Sequence, residues 1–124
     1  MTKRALKTYL QLYSKIKDAL KDRKTEIEIV VYGRKKRFLL EKWSYKLCDY
    51  LQEIMKSETN ETVIKIIKKT IIEGKEGKSV LRKLPISGST YYRWRRQCIE
   101  KIYELYIEAG DVSRAEILAE KTDE

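Results

Sequence analysis

Three arginines fall within four residues, Arg93, Arg95 and Arg96, directly after the short hydroxyls of Ser87, Ser89 and Thr90 and beside Tyr92. Each guanidinium is a planar fork of N–H donors that can take guanine O6 and N7 together, and one good pair of this kind discriminates by about 1–3 kcal/mol. The serine and threonine side chains are short enough to meet a phosphate oxygen or a thymine methyl, and backbone N–H groups at a helix start favour a phosphate. Tyr92 can stack on a base or donate its hydroxyl. Upstream, Lys75, Lys78 and Arg82 join Arg95 as charges that hold a phosphate backbone without reading its sequence. These residue types describe recognition of double-stranded DNA rather than bond making or breaking. The plainer alternative is an arginine-rich helix face that is only solvated or lies along apolar neighbours.

The elements around the arginines favour the first reading. Leu84-Pro85 stops a helix, because the proline ring disfavours helical geometry at the residue before it. Ser87 is a natural N-cap for the next helix. From there Tyr91, Trp94, Cys98, Ile102 and Leu105 recur at steps of three and four, which makes one buried face. Ser89, Thr90, Tyr92, Arg93 and Arg96 fall outside that face, at the end a recognition helix presents to the major groove. A preceding helix runs from about Lys78 to Lys83 or Leu84 and buries Val80, Leu81 and Leu84. Before it, Thr59 or Asn60 caps a helix over 60–73 whose Val63, Ile66, Ile67, Thr70 and Ile71 keep helical spacing, with Ile64 and Ile72 broadening the face. Gly74 and Gly77 bracket the loop after it. Three helices, 60–73, 78–84 and 88–108, form a trihelical unit.

Residues 79–97, with Ile86-Ser87-x-Ser89-Thr90-Tyr91-x-Arg93 preceded by Val80 and Leu84, resemble the helix-turn-helix of sigma factor region 4. Residues 58–110, including the apolar run from Cys98 to Leu105, resemble the C-terminal half of small phage late-gene transcriptional regulators of the ArpU/RinA kind. The resemblance covers under half the chain. It implies an all-helical protein that binds promoter-proximal DNA.

The first half reads less sharply. Residues 3–24 predict a long amphipathic helix with Leu6, Tyr9, Tyr13, Ile16 and Leu20 as a seam and Leu10 and Leu12 widening it. That helix either packs on its own domain or dimerises. Thr25 to Tyr32 is strand-like, Gly33 interrupts, and Arg34-Lys35-Lys36-Arg37 follows. The preferred reading starts a helix at Phe38, since Phe38, Leu39, Trp43, Leu47, Tyr50, Leu51 and Ile54 keep the helical period through Met55. A hairpin around Gly33 is the alternative. The basic tetrad is then a solvated loop or an arm that touches phosphates. Ser57 to Asn60 is a polar break. The helix at 88–108 carries more apolar surface than three helices need, in Ile99, Ile102, Tyr103, Leu105, Tyr106 and Ile107. This extension packs against the N-terminal helices or a second copy. Gly110 then reads as a C-cap and Asp111 as the N-cap of a last helix through about Ala119.

Bulk properties bound the function. At 124 residues and a net charge of +9, the chain is one domain or one domain with an arm, suited to a polyanion. Residues 111–124 hold five acids and two bases, so this tail carries −3 against +12 for 1–110. It is expected to be solvated, with a contact to another protein such as RNA polymerase as the alternative. Cys48 and Cys98 are distant lone thiols, expected reduced in the cytoplasm of a bacterial host. No apolar run is long enough for a bilayer, and no signal peptide is visible. There is no histidine, which removes the commonest metal ligand and general base. Gly77-Lys78-Ser79 mimics the end of a phosphate-cradling loop, but position 72 is isoleucine rather than the needed glycine.

The expectation is therefore an all-α chain: an oligomerising helical segment at 1–57 (with a short hairpin near 26–40 as the variant), a helix-turn-helix domain at 58–110 and an acidic tail at 111–124. Its DNA-binding set is Ser87, Ser89, Thr90, Tyr92, Arg93, Arg95, Arg96, Lys78 and Arg82. No catalytic residues, cofactor, metal or membrane contact are expected, and the regulator is expected to be a homodimer. The alternatives are a DNA-packaging protein like a small terminase subunit, and a protein–protein adaptor that does not touch DNA.

Overall fold

The computed structural model describes residues 1–122, which fold mostly as helix around one small antiparallel sheet. Helix α1 (Lys3–Gln11) starts where Thr2 Oγ1 accepts the Ala5 N–H at 3.1 Å, and α2 (Tyr13–Lys21) follows after a single residue, Leu12. Leu6, Tyr9, Leu10, Tyr13, Ile16 and Leu20 form their buried stripe. This is the seam expected from the spacing, and it is used inside the chain, so a dimer would have to form through another face.

After α2 come β1 (Glu26–Val31) and β2 (Arg34–Leu39), paired with Glu26 opposite Leu39 and Val31 opposite Arg34. The helix expected to begin at Phe38 is therefore replaced by a strand, and the chain is not all-α. Two causes, one local and one long-range, favour the hairpin. Tyr32 and Gly33 both take left-handed conformations, with φ of 50° and 75°, and such a two-residue turn matches the twist of paired strands. The base of the hairpin is also held from outside. Ile27 faces Phe38 across the strands, the Phe38 ring lies 5.2 Å from that of Tyr9, and the Tyr9 hydroxyl donates to Leu39 O at 3.1 Å and accepts the Glu41 N–H at 2.9 Å. Helical periodicity resumes with a 3-10 turn at Lys42–Lys46 and α3 (Leu47–Ser57), which buries Leu47, Leu51 and Ile54.

Asn60 Oδ1 accepts the Thr62 N–H at 3.0 Å and so caps α4 (Glu61–Ile66), which continues as a π-helix over Ile67–Ile72. Val63, Ile66, Ile67 and Ile71 are buried. Helix α5 (Gly77–Arg82) buries Val80, whereas Leu81 and Leu84, expected in the core, are only half-buried. Helix α6 (Gly88–Glu108) ends where Gly110, at φ 82°, lets the Asp111 N–H reach Tyr106 O at 3.0 Å. The expected cap at Asp111 is displaced to Ser113: Ser113 Oγ accepts the Glu116 N–H at 3.1 Å and Glu116 Oε1 accepts the Ser113 N–H at 3.2 Å, a reciprocal box that starts α7 (Arg114–Thr122). Asp111 instead pairs with Lys46 at 2.9 Å, and Val112 is buried, so the start of the acidic tail is folded onto the body.

The core crosses the polar break at 57–60 without interruption. Leu6, Tyr13, Ile16, Leu47 and Leu51 from the first half join Ile67, Ile71, Cys98, Ile102 and Tyr106 from the second in one cluster. The length of α6 has its explanation here. Tyr106 sets its ring edge-on to Trp43 (5.4 Å) and Tyr50 (4.7 Å) and donates its hydroxyl to Trp43 O at 2.8 Å. The extension thus packs on the N-terminal elements of the same chain.

Candidate nucleic-acid interface

The start of α6 is built by three small side chains. Ser87, extended at φ −76° and ψ 158°, accepts the Thr90 N–H on Oγ at 3.2 Å, and its Oγ also lies 2.9 Å from Thr90 Oγ1 and 3.1 Å from Ser89 Oγ. The cap supplies one of the acceptors the first turn lacks. Thr90 is half-buried and turned to this network, while Ser87 and Ser89 are exposed.

Tyr91 fixes α5 and α6 against each other. Its side chain is 0% exposed, and a Cβ added at Gly77 would meet its hydroxyl at 2.6 Å. The first residue of α5 therefore has to be a glycine for the tyrosine ring to seat beneath it. Leu81 lies in ordinary contact with the Gly88 position at 3.6 Å.

Steps of three, one and three residues place Ser89, Tyr92, Arg93 and Arg96 within one arc of the helix. All four are exposed, on the side away from the buried Tyr91, Cys98 and Ile102. Tyr92, 52% exposed, is steadied by an edge-on contact with the Tyr91 ring at 5.0 Å. Lys78 and Arg82, one turn apart on α5, are exposed as well. Between residues 77 and 99 the sequence holds Lys78, Arg82, Lys83, Arg93, Arg95 and Arg96 and no acid. Among the described residues, none of Lys78, Arg82, Arg93 and Arg96 has a carboxylate partner.

Arg95 stands apart from this arc. It is half-buried and lines a groove with Lys7, Leu10, Gln11, Ile71 and Ile99, between α1, the π-helix and α6. Its position one residue from Arg96 turns it a quarter of the way round the helix, toward the N-terminal half of the chain. A second basic feature escaped the sequence reading: Lys65 and Lys69 converge with Lys75 and Lys83 around Val80 and Leu84. The spacing of Lys65 and Lys69 on one helix face was its only signal. Glu73 lies 3.9 Å from Lys69 and 3.6 Å from Lys75 and offsets part of that charge.

Cys98 is buried, and burial pushes its thiol up to about 11, which keeps it protonated and unreactive at neutral pH. Among the described residues, no cluster of three or more histidine, cysteine or carboxylate side chains is placed to hold a metal ion, and no helix is long and apolar enough to cross a membrane. No protein-family model matches the chain, and neither the curated proteins nor the solved structures provide a match.

Proposed function

We propose that this chain is a sequence-specific, double-stranded-DNA-binding transcriptional regulator that inserts the first turns of α6 into the major groove, in the manner of the phage late-gene regulators its second half resembles. One observation carries the reading: Ser89, Tyr92, Arg93 and Arg96 share a single exposed arc on a capped helix start, in an acid-free and unpaired basic segment. Arg93 and Arg96 are the base-reading forks, and Tyr92 stacks or donates beside them. Ser87, Ser89 and the N–H groups of the first turn hold a phosphate, and Lys78 and Arg82 take the adjacent backbone. Arg95 and Thr90 act behind this surface, as supports for the helix.

Selection of binding duplexes from a randomised pool, followed by gel-shift titration at physiological salt, tests the proposal. The wild-type chain should enrich a defined sequence, and Arg93→Ala with Arg96→Ala should erase the preference while leaving the fold intact by circular dichroism. Equal affinity for all sequences would sink the regulator reading. The same preparation weighed in solution addresses the packaging alternative, since a ring of many copies would favour assembly over regulation.

A further inference from the structure

We infer that the β1–β2 hairpin is a second DNA contact, a basic wing whose tip grips the phosphate backbone. This inference rests on the proposed DNA-binding role of α6 for its partner, but on a separate set of residues.

Charge is the first observation. Arg34, Lys35, Lys36 and Arg37 are all exposed on β2. Their cross-strand neighbours are Val31, Val30, Ile29 and Glu28 in that order, so only Arg37 faces a carboxylate. Arg37 also lies 3.9 Å from Glu26, whereas Arg34, Lys35 and Lys36 have no ion-pair partner among the described residues. Alternation along the strand sends Arg34 and Lys36 to one face and Lys35 to the other. Three unpaired like charges at the end of a two-stranded sheet repel each other. A phosphate backbone running past the tip would meet cations on both faces and release its counterions.

The turn is the second observation. Tyr32 occupies the first left-handed position, where asparagine, aspartate or glycine is favoured, and a bulky side chain at φ 50° is strained. Its ring is 100% exposed, so no contact within the chain offsets that strain. An aromatic ring held out beyond three cations suits contact with a sugar or a base edge in a groove.

Placement is the third. A cleft between the hairpin and α2 is lined by Lys15, Asp18 and Ala19 on one wall and by residues from Glu26 to Val30 on the other. The strand therefore doubles back along α2 rather than projecting beyond it. The base of the hairpin is held by Tyr9, which packs on Trp43, and Trp43 packs on Tyr106 of α6, so one packed body carries both basic surfaces. Asp18, Glu26 and Glu28 lie in or beside the cleft, so the backbone contact belongs to the tip, not to the cleft floor.

The test compares wild type with Arg34→Gln/Lys35→Gln/Lys36→Gln and with Tyr32→Asn, on the enriched duplex and on the unselected pool, across a salt series. Tyr32→Asn is informative because asparagine suits the turn better, so lost binding could not be ascribed to a broken hairpin. The triple variant should flatten the log–log salt dependence by about 2 to 3, since each phosphate contact contributes roughly 0.9, and should weaken both duplexes equally while keeping the selected sequence. Tyr32→Asn should melt higher and bind several-fold more weakly. An unchanged salt slope together with intact sequence preference would overturn the wing and leave the role of α6 standing. A reduced slope in the triple variant, where the wild-type chain shows no sequence preference, would support the wing and overturn sequence-specific reading by α6. No binding to any duplex overturns both. Vesicles with and without anionic lipid form the control arm: hairpin-dependent binding there, with no change on DNA, would assign the tip to a membrane surface instead.

Discussion

At the scale of single residues, the pair Gly77 and Tyr91 determines how the candidate recognition helix is set. The tyrosine is fully buried on the face opposite Arg93 and Arg96, and its hydroxyl sits where a side chain at residue 77 would begin. Gly77 does not need a left-handed backbone; it is required for space alone. An alanine there would gain up to about 1 kcal/mol of helix propensity but would push on a ring that has nowhere to retreat, at a cost of about 1–3 kcal/mol. Gly77→Ala should therefore lower stability in the wild-type background. In a Tyr91→Phe background the nearest ring atom would lie 3.2 Å away instead, and the same alanine should become neutral or stabilising. Denaturant melts of the four proteins should yield a coupling of about 1–3 kcal/mol, of the size expected for residues in contact. Additive effects would show that α5 and α6 are not locked through this tyrosine. The exposed arc of Ser89, Tyr92, Arg93 and Arg96 was legible in the sequence, because their spacing relative to the apolar period fixes which way they face, whereas Thr90, expected with them, is half-buried. Arg95 was already set apart from that arc by the same period, but its half-burial against α1 depends on the fold of the first half.

At the scale of elements, the hairpin was the main departure from expectation, and the reason is physical. Phe38 and Leu39 keep helical spacing with Trp43 and Leu47, so period alone could not separate strand from helix over so short a run. The deciding contacts are long-range. Tyr9, from α1, holds Leu39 O and the Glu41 N–H with one hydroxyl, and its ring lies against Phe38 at 5.2 Å and Trp43 at 4.6 Å. No local pattern announces that a tyrosine from a helix will tie off a strand 30 residues later. Tyr9→Phe keeps the ring and removes both bonds. It should cost about 1–3 kcal/mol, the range for leaving part-buried backbone groups unpartnered. Amide exchange should speed up first at Leu40 and Glu41, where the Leu40 N–H bonds Thr25 O at 2.9 Å, while amides near Ile102 in the middle of α6 should keep their protection. Uniform loss of protection would mean that the hairpin and the helical core unfold as one unit. The capped start of α6 and the glycine-led end at Gly110 were both readable in advance, since each depends on a few adjacent residues.

At the scale of the whole molecule, one core serves both halves; the surplus apolar surface of α6 pointed to this but left a second copy of the chain as the alternative. The polar run at Ser57 to Asn60 reads as a boundary, yet the stripe of α1 and α2 closes against the π-helix, α3 and α6. Residues 58–110 expressed alone should therefore lack a cooperative melting transition, and adding residues 1–57 in trans should restore one. The shared core is also rich in buried hydroxyls, and this fixes how the protein responds to alkali. Burial raises Tyr9, Tyr13, Tyr50 and Tyr106 above the ordinary value of 10.0, with neighbouring acidic groups adding to it, and raises Cys98 from 9.0 to about 11. In each case the folded state holds its proton more tightly than the unfolded chain. The stability these groups contribute is complete below their unfolded values and is lost as pH climbs through the folded ones. The fold should thus weaken from about pH 9 upward and fail cooperatively above about pH 10, with the buried tyrosines ionising only as it does so. Tyrosinate absorbance and far-ultraviolet circular dichroism followed in one titration would check this: the late absorbance change should coincide with loss of helix. Complete ionisation of the tyrosines with the helical signal intact would show that Tyr13 and Tyr106 are open to solvent, and the packing of α6 on the N-terminal elements would have to be redrawn.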